Sequence, residues 1–112
     1  MNSGMKAPFK DLSGLNPLVH TPARLAILTA LASCRTADFL YLQRLTGLSK
    51  GNLSSHLLKL EQGGLVKIEK GYSGKTPTTT LNLTPQGRAE TDRHWKRLEQ
   101  LRNAATKWQP EG

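Results

Sequence analysis

The sequence predicts a mainly helical α+β domain with three helices, a β-hairpin and a long closing helix. Three observations carry this. Apolar residues recur at helical spacing in three successive segments, each opened by a capping residue. After Gly63-Gly64 the period changes from helical to two. A second Thr-Pro pair, Thr84-Pro85, then restarts a helical pattern.

Residues 1–14 are small, polar and interrupted by Pro8, and they read as a loosely held arm. Leu15 to His20 can form a short helical turn carrying Leu15, Leu18 and Val19. Thr21 then caps a helix with Pro22 at its first position, which suits a residue with no N–H to satisfy. Leu25, Leu28, Leu31 and Ala32 give this helix its apolar side before it fades near Ser33-Cys34. Asp38 caps a second, shorter helix with Phe39, Leu42 and Leu45 inward, and Gly47 stops it by accepting the left-handed conformation. Ser49 caps the third helix, where Leu53, Leu57 and Leu60 share a side.

Leu65 to Lys70 and Thr78 to Leu83 alternate as strands, with Gly71 to Pro77 as a turn-rich tip between them. A short strand near Thr36–Asp38 can make this two-stranded unit three-stranded. The last helix runs from Thr84-Pro85 to about Trp108. One domain is expected over residues 15–108, followed by a tail at 109–112.

Composition narrows the function. The chain has 112 residues, enough for one core. Its 16 Lys and Arg against 8 Asp and Glu leave a net charge of +8, which favours polyanionic partners. A single cysteine, Cys34, excludes an internal disulfide framework and a multi-cysteine metal site. Cys34 ends an apolar helix beside only Arg35, so it reads as a bystander thiol. The three histidines lie on separate segments without metal-ligand spacing, so no metal or cofactor is expected. No nucleophile-and-base arrangement, phosphate loop or acid pair is visible, so an enzyme is not expected. No apolar run approaches a membrane span, and a cytoplasmic location follows.

Two short helices joined by a glycine turn and followed by a hairpin describe a winged helix-turn-helix. At about 100° per residue, Leu53, Leu57 and Leu60 of the third helix cluster on one side. Gly51, Asn52, Ser55, Lys59 and Gln62 fall on the other, and Glu61 lies towards the core flank. A small, polar, acid-free face suits a DNA major groove, and the helix N-terminus offers free N–H groups to phosphate.

Four stretches resemble the small winged helix regulators of the MarR and ArsR type. They are His20-Thr21-Pro22-Ala23-Arg24-Leu25-Ala26-Ile27-Leu28, Gly51-Asn52-Leu53-Ser54-Ser55-His56-Leu57, Gly74-Lys75-Thr76-Pro77-Thr78-Thr79 and Thr84-Pro85-Gln86-Gly87-Arg88. The resemblance spans roughly residues 15 to 95 and implies binding of double-stranded DNA by a transcriptional regulator. It places Ser49, Lys50, Gly51, Asn52, Ser54, Ser55 and Lys59 at or beside the duplex, with His56 on a flank that favours packing over reading. Asn52 suits adenine, while the serines suit phosphate.

On the wing, the resemblance puts Lys75 and Thr78 against backbone or minor groove. Related wings often carry arginine where Lys75 stands, and arginine reads a narrow minor groove better. Lys67 and Lys70 read as solvated strand charges. The cysteine motif of ArsR metal sensors is missing. A homodimer is expected through Leu15–Val19 and the apolar stripe Trp95, Leu98, Leu101, Ala105 and Trp108. Repression is the expected output; no small-molecule effector is indicated. The alternative is a protein-docking winged helix without specific DNA binding. Structured RNA is disfavoured, because no aromatic stacking platform is present.

Overall fold

The structure is a computed structural model that describes residues 15–34 and 36–107. The expected arm and tail, Arg35 and Trp108 lie outside the described residues. The order is α1 (Pro22–Ala32), β1 (Ala37–Asp38), α2 (Phe39–Thr46), α3 (Lys50–Gln62), β2 (Val66–Ser73), β3 (Thr76–Leu83) and α4 (Pro85–Lys107). Before α1, the amides of Val19 and His20 bond to the Asn16 carbonyl, closing the short turn.

Each helix begins where a side chain replaces the missing backbone acceptor. Thr21 accepts from the Arg24 amide, Asp38 from Tyr41 at 2.7 Å, and Ser49 from Asn52. Thr84 does more: its hydroxyl accepts from the Gly87 amide at 2.9 Å and donates to the Gly64 carbonyl at 2.6 Å. It thereby ties the start of α4 to the end of α3. Gly47 ends α2 with φ 71°, in the left-handed region.

The sheet has three antiparallel strands in the order β1-β3-β2. Asp38 therefore has two structural duties, as the cap of α2 and as the partner of Thr80 in β3. The hairpin is longer than its sequence pattern suggests. Ser73 pairs with Thr76, so only Gly74 and Lys75 form the turn. Gly74 has φ 65° and Lys75 does not share it, the pattern of a type II′ turn. Pro77, which marks a loop by sequence, sits in β3 opposite Tyr72. It is tolerated there because β1 pairs only with residues 80 and 81, leaving β3 a single neighbour near the tip.

Val19, Ile27, Leu28, Leu31, Leu42, Leu53, Leu60, Leu65 and Leu81 are fully buried and form the centre of the core. At about 1.5–3 kcal/mol for each large side chain, this cluster is what holds helices and sheet together. Leu45 corrects the expectation for α2: it is 55% exposed. Successive steps of three residues each fall about 60° behind a full turn, so Phe39 and Leu45 flank Leu42 on opposite sides. Only the Phe39 side meets the core. In α1 the buried set is Ile27, Leu28, Ala30 and Leu31, whereas Leu25 and Ala32 are half-buried.

The long helix α4 packs closely at its start. A β-carbon at Gly87 would lie 1.9 Å from the Leu65 carbonyl oxygen, so only glycine permits this approach. The buried residues of α4 are Gly87, Thr91 and His94, all in its first half. His94 meets His20 across the chain, with Nδ1 of His20 3.1 Å from Nε2 of His94. Histidines separate in sequence are thus neighbours in space. Leu15 and Val19, expected to face a partner, are spent on the chain's own interior at 5% and 0% exposure.

Candidate nucleic-acid interface

The third helix lies with one side in the core and the other in solvent. Leu53, Leu57 and Leu60 are buried, while Lys50, Gly51, Asn52, Ser54, Ser55 and Lys59 are exposed. Ser49 occupies the Asn52 amide, and Leu53 bonds back to the Ser49 carbonyl. The amides of Lys50 and Gly51 come too early in the helix for an intrahelical acceptor, so the positive end of α3 faces outward.

Three rows run along the exposed side. Gly51, Ser55 and Gln62 form the central row, opposite the buried leucines. Asn52 and Lys59 flank it on one side. Lys50, Ser54, Leu58 and Glu61 flank it on the other and face the wing across an open groove of about 980 Å³. Glu61 is exposed and belongs to this groove, not to the core flank.

The wing side of the groove carries Lys70 and the run Thr76–Thr79, so Thr78 stands opposite Lys50 and Ser54. Lys70, read from sequence as an ordinary strand charge, therefore faces the same space as α3. Lys67 instead approaches Glu69 at 3.9 Å in an exposed pair. Such a pair contributes little to stability. Lys75 is exposed at the two-residue turn, separate from the groove, and Tyr72 beside it is 76% exposed.

His56 lies on the Asn52 side and is half-buried. Burial, followed by the charges of Arg24 and Lys59, holds its pKa below the usual histidine value, so it is neutral near pH 7. Arg24, not singled out by sequence, brings a cation from α1 to this edge of α3. The Arg24 Nε and His56 Nδ1 are buried without a hydrogen-bond partner among the described residues.

Leu58 is a third residue whose place sequence reasoning missed. It is 51% exposed and lines the groove between α3 and the wing, where Leu40 of α2 is also exposed. Cys34 is half-buried and its thiol points to the Ala30 carbonyl at 3.2 Å. Among the described residues, no group of three or more His, Cys, Asp and Glu side chains could hold a metal ion.

A capped helix presented by a preceding short helix, with a hairpin projecting alongside it, defines a winged helix-turn-helix. Residues 23–102 match the sequence model of the winged helix DNA-binding domain, and the chain belongs to that family. A transcriptional regulator homologue from Pyrococcus horikoshii OT3 is 31% identical and superposes with a TM-score of 0.80, covering 86% of this chain and 97% of its own. A MarR-family regulator from Enterococcus faecalis V583 covers 96% of both chains with a TM-score of 0.73. Its identity of 21% makes that a likeness of fold. An uncharacterized protein of Methanocaldococcus jannaschii is 32% identical over 71 residues, which are 63% of this chain and 77% of that protein.

Proposed function

We propose that this chain is a sequence-specific, double-stranded DNA-binding regulator of transcription. It lays α3 in a major groove and sets the wing on the adjacent backbone or minor groove. The carrying observation is the exposed side of α3, which is capped, small and polar and carries Lys50 and Lys59, with Lys70 facing it across the groove. Ser49 and Ser54 hold phosphate, Asn52 and Ser55 face base edges, and Lys75 with Thr78 meets backbone at the wing. Repression is the output, by occupying DNA that polymerase needs. A cytoplasmic location goes with this role. Among the described residues no helix is long and apolar enough to cross a membrane.

The working unit is a homodimer joined through α4. Gly87, Thr91 and His94, the buried residues of this 23-residue helix, are spaced by four and three. Leu98, Leu101 and Ala105 continue the same alternation beyond the core, with no buried residue among them. A seam spaced in this way suits the matching seam of a second helix. Trp95 is 45% exposed, with its indole N–H donating to the Thr29 hydroxyl at 2.9 Å.

Selection of bound sequences from a random duplex pool, followed by titration of two variants, tests the DNA reading. Asn52→Ala is expected to cost about 1–3 kcal/mol on the selected site and little on random DNA. Lys75→Ala is expected to weaken both alike and reduce the salt slope by about one. If Lys75→Ala alone changes the specific-to-random ratio, the wing is the reader. Weak binding of the wild type to every duplex would favour protein docking. For that role Leu40, Tyr41 and Leu45, exposed on α2, supply apolar surface.

A further inference from the structure

We infer that Leu58 reads a C5-methyl group in the major groove, so that part of the sequence preference of α3 is apolar. The inference rests on the DNA-reading function proposed above and assigns a ligand within that site. Isolated apolar residues on a protein surface ordinarily need no explanation. Leu58 differs by its place. It stands beside Ser54 on the groove side of Gly51, Ser55 and Gln62, and lines the open groove between α3 and the wing. At 51% exposure, about half of the side chain is held by the protein while the rest is presented outward.

In a major groove, the apolar feature of a base pair is the methyl at C5 of the pyrimidine, and leucine has no group able to hydrogen-bond a base edge. That methyl is carried by thymine or by 5-methylcytosine. Either would take the same place against Leu58. With a rise of about 1.5 Å per residue, Leu58 lies about 9 Å along α3 from Asn52. Base pairs are stacked about 3.4 Å apart, so the methyl falls within about three base pairs of the base that Asn52 meets. Glu61, the only acid on α3, lies on the groove wall one turn further on.

The test uses the full chain and the site selected from unmethylated random duplexes. Each thymine is replaced in turn by deoxyuridine, which removes only the methyl, and each cytosine in turn by 5-methylcytosine. The wild type is expected to bind about fourfold more weakly when one contacted thymine loses its methyl. That factor corresponds to the roughly 0.8 kcal/mol returned by burying one such group. Leu58→Ala should bind the thymine and uracil duplexes equally, with its urea midpoint showing an intact fold. Leu58→Gln, put through the same selection, should favour adenine at that position, because glutamine pairs with its N6 and N7.

Insensitivity to every uracil, together with tighter binding to one 5-methylcytosine that Leu58→Ala abolishes, also supports the inference and names the methylated base as the source. A uracil penalty as large in Leu58→Ala as in wild type assigns the methyl to another residue and overturns it. So does indifference to both substitutions on a site the protein otherwise binds specifically. Failure of the selection to return any preferred sequence would remove the DNA-reading function and Leu58's role with it. That outcome is distinct from specific binding without methyl dependence.

Discussion

Gly51 separates what α3 needs for folding from what it needs for its partner. It sits in the first turn of the helix, its φ is not positive, and a β-carbon there would meet nothing within 4 Å. Nothing within the fold therefore calls for glycine. Gly51→Ala should stabilise the chain by about 0.4–1 kcal/mol, because alanine restricts the unfolded state without straining the folded one. The corresponding rise in Tm is roughly 2–8 °C. On the DNA side the effect reverses. The new methyl would stand in the central row beside the exposed amides of the helix start. Where that row contacts a duplex, one extra methyl acts as overpacking and costs about 1–3 kcal/mol. That is roughly a five- to hundredfold loss of affinity on the selected site, with random-sequence binding through lysines little changed. Urea unfolding and fluorescence titration of the same preparations measure both effects. A variant that gains stability and keeps full affinity would show that nothing approaches Gly51, and the placement of α3 in the groove would be refuted.

Three further outcomes follow from the packing. Gly87→Ala would place a methyl against the Leu65 carbonyl, which accepts from Thr84, while the Leu65 amide is held by Leu60. Overpacking of about 1–3 kcal/mol outweighs the roughly 1 kcal/mol of helix propensity gained if α4 is to keep its seat. Urea unfolding should show a net loss, and an unchanged midpoint would mean that α4 sits farther from Leu65. His94 is held below the usual histidine pKa by burial, then by His20 and Arg97, with Glu90 opposing. The unfolded chain protonates near 6.5 before the folded one does, so stability should fall as pH drops from 6.5 towards the lowered value. The slope contributed by His94 is at most about 1.4 kcal/mol per pH unit. His56 adds a slope of the same sign, so the check is a shallower pH dependence in His94→Gln, and an identical slope would refute the assignment. Finally, Leu98→Asp with Leu101→Asp should halve the mass seen by light scattering. The unfolding cooperativity of the domain should remain, since neither residue belongs to the buried core.

Local chemistry made most of the fold legible. Thr21, Asp38 and Ser49 each cap the helix they were read to cap, and Gly47 takes the left-handed conformation at the expected stop. Three-dimensional context decided what the sequence left obscure. Pro77 resembles a loop residue until β3 is seen to lack a second neighbour there. Leu45 matches the apolar period of α2, but the core covers only one flank of so short a helix. The meeting of His20 with His94 depends on how the segment before α1 lies along α4, and no local spacing encodes that. At the site, the polar residues of α3 stood out by type. Leu58 did not, because an apolar residue does not mark a polar face, and its exposure depends on where the wing stops covering α3. Lys70 and Arg24 were obscure for a related reason. Their neighbours in the site belong to other elements, so proximity to α3 is a property of the assembled domain.

The double duty of Asp38 makes the domain a fixed-gauge instrument. One residue is both the first peg of the helix pair and a rung of the ladder that carries the wing. A force that bends the hairpin at its base would pass through Thr80 to the start of α2, so the wing is braced against the helix pair there and not at its tip. A duplex gripped by both would have to bring its grooves to a separation set by the protein. The work of doing so depends on the stiffness of the intervening base steps. Sequence preference would then extend to base pairs that no side chain touches, and weakening the joint at Asp38 would relax preference there while leaving the directly read positions intact.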